Sequence, residues 1–340
     1  MNNFGKIFRV GIFGESHGPS VGVTIDGCPA GLPLSVADFE KDIERRKGGI
    51  QKGTTPRKED DIPVFLSGVF NGKTTGSPLT IIFENNNTRS ADYEKQRNVP
   101  RPGHADFVAS KKYGGNEDYR GGGHFSGRLT VCLVAAGVIA KKILGLSRQE
   151  NNMITCNATI IEVGGEKDIE AGLQKAIDAK DSIGGIIECK VDGLPIGLGE
   201  PFFDSVESLI SHAVFAIPAI KGIEFGAGFA AARMKGSEHN DALENAGGKT
   251  LTNHAGGIVG GLTNGNPLVF RVVVKPTSST PKEQQTLNIE SGAVENFSVK
   301  GRHDLCIALR VPVVLEAVTA FVLTDLLMME QKLKRIIDNG

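Results

Sequence analysis

Two rhythms of apolar and polar residues run through this chain. Every second position is apolar in Val21–Asp26, Pro78–Phe83 and Leu268–Val274, and the stretch Phe8–Phe13 is also strand-like. Such alternation suits β-strands that bury one face. Between these runs the apolar positions recur with helical spacing in Val36–Lys47, Leu129–Leu144, Ile169–Lys180, Asp204–Phe215 and Val313–Ile337. The last stretch ends on Lys332, Lys334 and Arg335, cations that suit the negative pole of a helix dipole. Strands and helices mix without a strict strand–helix–strand rhythm, which predicts an α+β layered sandwich and argues against a doubly wound Rossmann sheet.

The pattern carries a faint internal echo. Ile25–Pro33 (IDGCPAGLP) resembles Val191–Gly199 (VDGLPIGLG). Likewise Gly68–Gly72 leading to Pro78-Leu79 resembles Gly261–Gly265 leading to Pro267-Leu268, in the same order. A diverged duplication would give two pseudo-equivalent halves sharing one core; alternatively, Asp-Gly and Asn-Gly turns simply recur in β-rich chains.

Composition narrows the function more than the fold. A length of 340 residues admits one large domain or two ordinary ones. With 38 basic and 39 acidic side chains the net charge is -1, which gives no sign of a surface built for nucleic acid or an anionic membrane. Any anion site must therefore be local. Five scattered cysteines, Cys28, Cys132, Cys156, Cys189 and Cys306, form no CxxC pair, so reduced thiols in a cytoplasmic protein are expected and no metal site is predicted. The N-terminal residues lack the pattern of an export signal, and the apolar run Thr130–Ala140 meets Lys141 and Lys142 well short of the roughly 20 residues that span a bilayer. It is expected to be a core helix. The 44 glycines, against three tyrosines and no tryptophan, point to recognition by backbone shape more than by aromatic surface.

Five constellations carry candidate chemistry. Gly14–Gly18 (GESHG) places Ser16 and His17 at a strand end between glycines. Arg97–Asp106 combines two stiffening prolines, two arginines and His104, a setting suited to protonating a phosphate leaving group. Asp118–Arg128 (DYRGGGHFSGR) runs glycines into a helix start, as a phosphate or flavin cradle would. Asn253–Gly265 is followed, after one strand, by Lys275–Ser279 (KPTSS), a lysine and three hydroxyls that offer many donors to a phosphoryl group. Gly301–Asp304 (GRHD) sets a carboxylate beside two cationic or cationisable side chains. By contrast, Ser67–Thr74 only imitates a P-loop: it lacks the first glycine and a following long helix, so it is read as a hairpin with an Asn-Gly turn.

Taken in order, the GESHG, RPGHAD, DYRGGG, AGGIVGGLTNG, KPTSS and GRHD segments resemble the chorismate synthase family from about Phe8 to about Met328. The resemblance implies a single-domain β-α-β sandwich over residues 1–340, assembled as a homotetramer. It implies bound, reduced FMN and a 1,4-anti elimination of phosphate from 5-enolpyruvylshikimate-3-phosphate with no net redox change. Carried over residue by residue, it places His17 against the reduced flavin, His104 at the departing phosphate and Asp304 at flavin N5, with Ser126 completing the catalytic set. FMN binding falls to His124, Phe125, Ser126, Pro218, Ala219, Gly260, Lys275, Pro276, Thr277, Ser278, Ser279 and Arg302. Ser16, Arg46, Lys52, Arg101 and Arg128 are the candidates for substrate, with Arg46 and Lys52 also matching positions linked to NADPH in bifunctional relatives.

Four positions depart from the family's pattern. Many members have Arg-Ser-Ser where this chain has His124-Phe125-Ser126, Glu in place of Leu129, and Arg in place of Leu133. Two other readings stay open on residues alone: a phosphoester-processing enzyme that uses the same basic site without flavin, and a flavin- or phosphate-binding module without turnover.

Overall fold

The computed structural model describes residues 2–49, 52–55, 59–87, 97–146, 153–299 and 303–330. The first half contributes strands β1 (Asn3–Phe4), β2 (Arg9–Gly14) and β3 (Ser20–Asp26), helix α1 (Ala37–Arg46), strand β4 (Val64–Ser67), the hairpin β5 (Val69–Phe70) and β6 (Lys73–Thr74), and β7 (Leu79–Glu84). Helices α2 (Asp106–Tyr113) and α3 (Thr130–Leu146) follow. The second half has β8 (Thr155–Val163), α4 (Ile169–Ala179), β9 (Gly185–Asp192), α5 (Val206–Val214), β10 (Ile220–Phe225) and α6 (Gly236–His239). It continues with the hairpin β11 (Ile258–Val259) and β12 (Leu262–Thr263), β13 (Leu268–Val274), the hairpin β14 (Gln284–Leu287) and β15 (Val294–Phe297), and α7 (Val311–Met329).

Two antiparallel sheets result, in the orders β1-β2-β3-β7-β4 and β10-β13-β9-β8. The period-two pattern explains their faces. Leu79, Ile81 and Phe83 of β7, and Leu268, Phe270, Val272 and Val274 of β13, are all buried. Helices α3 and α7 lie between the sheets, α3 packing mainly on β3 and β7, and α7 on β8 and β9. Both helices are predominantly apolar on every side, as helices covered on all sides must be. They have the length and apolarity to cross a membrane, yet both are buried inside this sandwich. They pack closely at Gly137, where a Cβ would overlap Ala317.

Lys141 and Lys142 do not end α3, which continues to Leu146. The Lys141 ammonium reaches Asp42 at 2.7 Å and Glu316 at 2.8 Å, and both oxygens of Glu316 also accept from Arg45 at 2.7 Å. This compensated network lets cations sit at the edge of the core. The other predicted helices agree within about two residues, the usual ambiguity of helix ends, except that the predicted end of the last at Ile337 lies outside the described residues. The basic end expected at Lys332, Lys334 and Arg335 lies outside the described residues.

The sequence echo corresponds to a structural repeat. β2-β3-β7-β4 in one sheet matches β8-β9-β13-β10 in the other, with α1 and α5 after the equivalent strands and a short hairpin before β7 and β13. Register agrees: Ile25 pairs with Leu79, and Val191 with Leu268. The polar anchors agree too. Thr74 Oγ1 donates to Pro29 O at 2.6 Å and accepts from Leu32 N at 2.9 Å; Thr263 Oγ1 donates to Pro195 O at 2.5 Å and accepts from Leu198 N at 2.9 Å. Recurring turns alone would not reproduce strand order, register and a buried threonine anchor together. The P-loop imitation is indeed a hairpin turn, with Asn71 at φ 48 and Gly72 at φ 72.

Candidate active site

The glycine-bordered segments converge on one cavity of about 690 Å³. The end of α1 brings Arg46, the segment before β4 brings Asp61, and the loop before α2 brings Arg101, Gly103 and His104. The turns before α3 supply Gly121 and residues 124–128, the link from α5 to β10 supplies Pro218 and Ala219, and the segment after β13 supplies Lys275–Ser279. Asp304 and Arg310 enter from the segment before α7. Among the described residues, six cationic side chains (Arg46, Lys47, Arg101, Arg128, Lys275, Arg310) line the cavity against three carboxylates (Glu59, Asp61, Asp304). A chain of near-zero net charge thus concentrates positive charge where a polyanion could be held.

At one wall Asp61 is fully enclosed by two arginines. It accepts from Arg46 Nη2 at 2.7 Å and from Arg128 Nη1, while Arg128 Nε donates to Asn85 Oδ1 at 2.9 Å. Burial would raise the Asp61 carboxyl, but the two guanidinium groups outweigh it and hold it below the usual carboxylate range. Burial pushes Arg46 down to about 10, against the pull of Asp61 and with help from Arg310 and Arg128, so it stays charged at neutral pH. Asp61 adopts φ 51, a left-handed conformation that Asp tolerates better than most residues. Beside this wall Asp304 accepts from Thr55 N at 2.8 Å and Arg310 Nη1 at 2.9 Å, and Arg310 Nε donates to the Arg46 carbonyl at 2.7 Å.

The opposite wall is the His104 loop. Asp106 accepts from Arg101 Nε at 2.7 Å and Nη2 at 2.8 Å, and its Oδ1 lies 2.6 Å from His104 Nδ1. Arg101 Nη1 reaches Ser279 Oγ at 3.1 Å, joining this loop to the KPTSS segment. Lys275 Nζ donates to Ser278 Oγ at 2.7 Å, and Ser278 Oγ donates to the Gly103 carbonyl at 2.7 Å. Burial, with Lys221 nearby, lowers the Lys275 ammonium below its ordinary value.

The glycine run does not itself open α3. Gly121, Gly122 and Gly123 have φ of 61, 82 and 53 and form a tight turn, and Ser126 caps the next turn by accepting from Arg128 N at 3.3 Å. This turn decides where His17 stands. A Cβ on Gly121 would come within 2.6 Å of His17 Nε2 and 2.9 Å of Ser16 Oγ, so both side chains lie directly behind a cavity-lining glycine. His124 donates from Nδ1 to the Gly14 carbonyl at 2.8 Å, and Phe125 packs near Tyr113 with ring centroids 6.4 Å apart.

Most of the predicted residues therefore meet: His104, Asp304, Ser126, His124, Phe125, Pro218, Ala219, Lys275, Pro276, Thr277, Ser278, Ser279, Arg46, Arg101 and Arg128 line the cavity, with His17 and Ser16 one layer behind. Lys52 is outside the lining, its ammonium donating to Gln174 Oε1 at 2.9 Å. Gly260 sits in the β11–β12 turn in open space and is not among the residues lining the cavity. Arg302 lies outside the described residues. Sequence reasoning missed Asp61, Asn85, Asp106 and Arg310 as parts of the site. For Asp61 and Asp106 the available signal was charge balance, since clustered arginines in a neutral chain require carboxylate partners; Asn85 and Arg310 carried no such signal.

A layered α+β fold that closes two sheets and their helices over a polycationic cavity, with an imidazole and a carboxylate on its walls, defines an enzyme of small polyanionic substrates. The chain belongs to the chorismate synthase family, whose family model, described as chorismate synthase, matches residues 8–328. It is 73% identical over 339 residues to the chorismate synthase of Chitinophaga pinensis, covering 100% of both chains. It is 42% identical over 360 residues to that of Dehalococcoides mccartyi, covering 99% of each. A crystal structure of chorismate synthase superposes with a TM-score of 0.73 at 26% identity, over 96% of this chain and 93% of that one. The protein is accordingly a carbon–oxygen lyase of the shikimate pathway.

Proposed function

We propose that this cavity carries out the 1,4-anti elimination of phosphate from 5-enolpyruvylshikimate-3-phosphate, with reduced FMN as the bound cofactor. The carrying observation is the meeting of His104, Asp304 and the arginines on one cavity with an excess of positive charge. The residues present suit a flavin nucleotide and a polyanion together. Thr277 Oγ1 and Arg46 Nε are buried on the cavity wall without a hydrogen-bond partner among the described residues, as groups reserved for a ligand would be. Ile12, Leu133, Ile217 and Val314 add apolar surface to the same cavity.

Ser126, His124, Phe125, Pro218, Ala219 and Lys275–Ser279 would hold the FMN, with Arg302 added from the resemblance. When bound, the reduced flavin supplies electron density that weakens the C–O bond and a centre to take up the ring hydrogen. The protein's own groups do the rest. Arg46, Arg101 and Arg128 hold the substrate's carboxylates and phosphate; His104 gives a proton to the leaving phosphate oxygen; Asp304, fixed by Thr55 N and Arg310, moves a proton at the flavin; His17 and Ser16 act through the Gly121 turn. Roles for Gly260, and for Lys52 with Arg46 toward NADPH, rest on the resemblance alone. The Leu129 and Leu133 departures do not disable this arrangement. Both side chains are buried one helical turn apart, and exchanging a Glu and an Arg together leaves no unpaired charge in the wall.

Anaerobic incubation with dithionite-reduced FMN and 5-enolpyruvylshikimate-3-phosphate should release phosphate and chorismate in equal amounts. Absence of both, beside an active reference synthase, overturns the reading. We also infer a cytoplasmic homotetramer from the family likeness; light scattering should give about four times 36.1 kDa, and a monomeric mass would refute it.

A further inference from the structure

We propose that Asp106 is the positioning residue of the acid: it fixes His104 as the Nδ1–H tautomer, so that Nε2 is the nitrogen that serves the cavity. This rests on the reading of the cavity as the elimination site, and it assigns a role to a residue behind the cavity wall that does not line it.

The geometry of three side chains carries the argument. His104 Nδ1 has two neighbours, Asp106 Oδ1 at 2.6 Å and Arg101 Nη2 at 3.0 Å. A guanidinium only donates, so pairing with it would require a bare lone pair on Nδ1. That lone pair would then face a carboxylate oxygen at 2.6 Å with no hydrogen between them, two acceptors in repulsive contact. The carboxylate is ionised and can only accept: burial opposes its charge, but hydrogen bonds from Arg101 and His104 outweigh that and hold it well below the usual range. Arg101 Nη2 already donates to Asp106 Oδ1 at 2.8 Å. Of the two contacts the shorter is to an anionic oxygen, which favours a proton on Nδ1 shared with Asp106 at the expense of the longer Arg101 contact.

The loop is stiff enough to keep it there. Asp106 is the first residue of α2, where the helix dipole favours a carboxylate, and it also accepts from Arg101 N at 3.2 Å. Ser279 holds the far side of the Arg101 guanidinium. The other face of the imidazole looks onto Gly122, where a Cβ would stand 3.4 Å from Nε2, and Gly122 needs its φ of 82. The ring is thus clamped between an anion and a bare backbone.

The step this serves balances as follows. As the C–O bond breaks, its electron pair leaves on the phosphate oxygen; the Nε2–H bond of the imidazolium breaks and an O–H bond forms on the phosphate. The ring replaces the lost pair from the C–H bond surrendered in the same elimination, whose hydrogen the reduced flavin would take up when bound, and His104 is left neutral with Nδ1–H still donated to Asp106. Asp106 keeps its charge throughout.

Two measurements test the assignment. In the full chain labelled with 15N-histidine, at about pH 9 where imidazoles of ordinary acidity are neutral, the His104 signal, identified by its absence in His104→Ala, should report Nδ1–H. An Nε2–H tautomer overturns the proposal. In turnover assays, Asp106→Asn should lower kcat by about tenfold or more, the scale of lost ligand-orienting partners, while FMN affinity stays unchanged and Asp106→Glu recovers part of the loss. Unchanged kcat in a folded Asp106→Asn overturns it as well. Wild-type protein that shows the Nδ1–H signal yet releases no phosphate would sink the function reading while leaving the dyad itself established, so the two failures are separable.

Discussion

Individual side chains in this cavity divide into those that meet ligand and those that hold them, and substitution should separate the two. His104 lines the cavity, and among the described residues no hydrogen bond joins it to the KPTSS hydroxyls, so His104→Ala is expected to lower kcat far more than FMN affinity. Stopped-flow turnover beside flavin titration checks this, and equal losses in both would place His104 in binding. Asp61 is the opposite case. Its side chain is fully buried between Arg46 and Arg128, and truncation leaves two guanidinium groups without their counter-ion. Asp61→Ala should cost about 3–5 kcal/mol of stability, the range for breaking a buried pair, measured by urea unfolding. His104 was legible in the sequence because prolines, arginines and glycine surround it. Asp61 was not, because nothing local tells a buried carboxylate from its exposed neighbours in an acidic run.

At the level of elements, the repeat and the helix layer explain one another. Each half delivers one predominantly apolar helix to the centre, α3 from the first and α7 from the second, and two such helices pack closely where a side chain is missing. Gly137 against Ala317 is that place. Gly137→Val should therefore destabilise the fold by about 1–3 kcal/mol or more through overpacking, seen as a lower urea midpoint. A neutral effect would mean that the helices can slide apart. Strand and helix positions were readable here because periods of two and 3.6 residues are local properties of the chain. The helical pattern to Leu144 already ran past Lys141 and Lys142, but what lets Lys141 sit at the edge of the core was not readable, since Asp42 and Glu316 arrive from α1 and α7.

For the molecule as a whole, acid should be the sensitive condition. Asp61, Asp106 and Glu316 all suffer burial that favours the protonated form, yet their arginine and lysine partners win and hold each carboxyl below its ordinary value. A depressed folded-state pKa contributes stability that is complete above the unfolded value of about 4 and is lost as pH falls through the folded value. The melting temperature is thus expected to be flat between about pH 5 and 7 and to fall below about pH 4, and Glu316→Gln should flatten that acid slope. A melting temperature indifferent to acid would show that these pairs carry no net stability. The sequence by itself determined the alternating strands, the two apolar helices, the echo between halves and the ordered motifs of the family, because each is written in neighbouring residues and needs no contact to be seen. Only the tertiary structure decided that Asp61 joins Arg46 to Arg128, that Asp106 turns His104, that His17 stands behind Gly121 and that Gly260 lies outside the cavity lining. Those outcomes depend on which distant segments meet, and pairing across space is set by packing and charge balance over the whole fold.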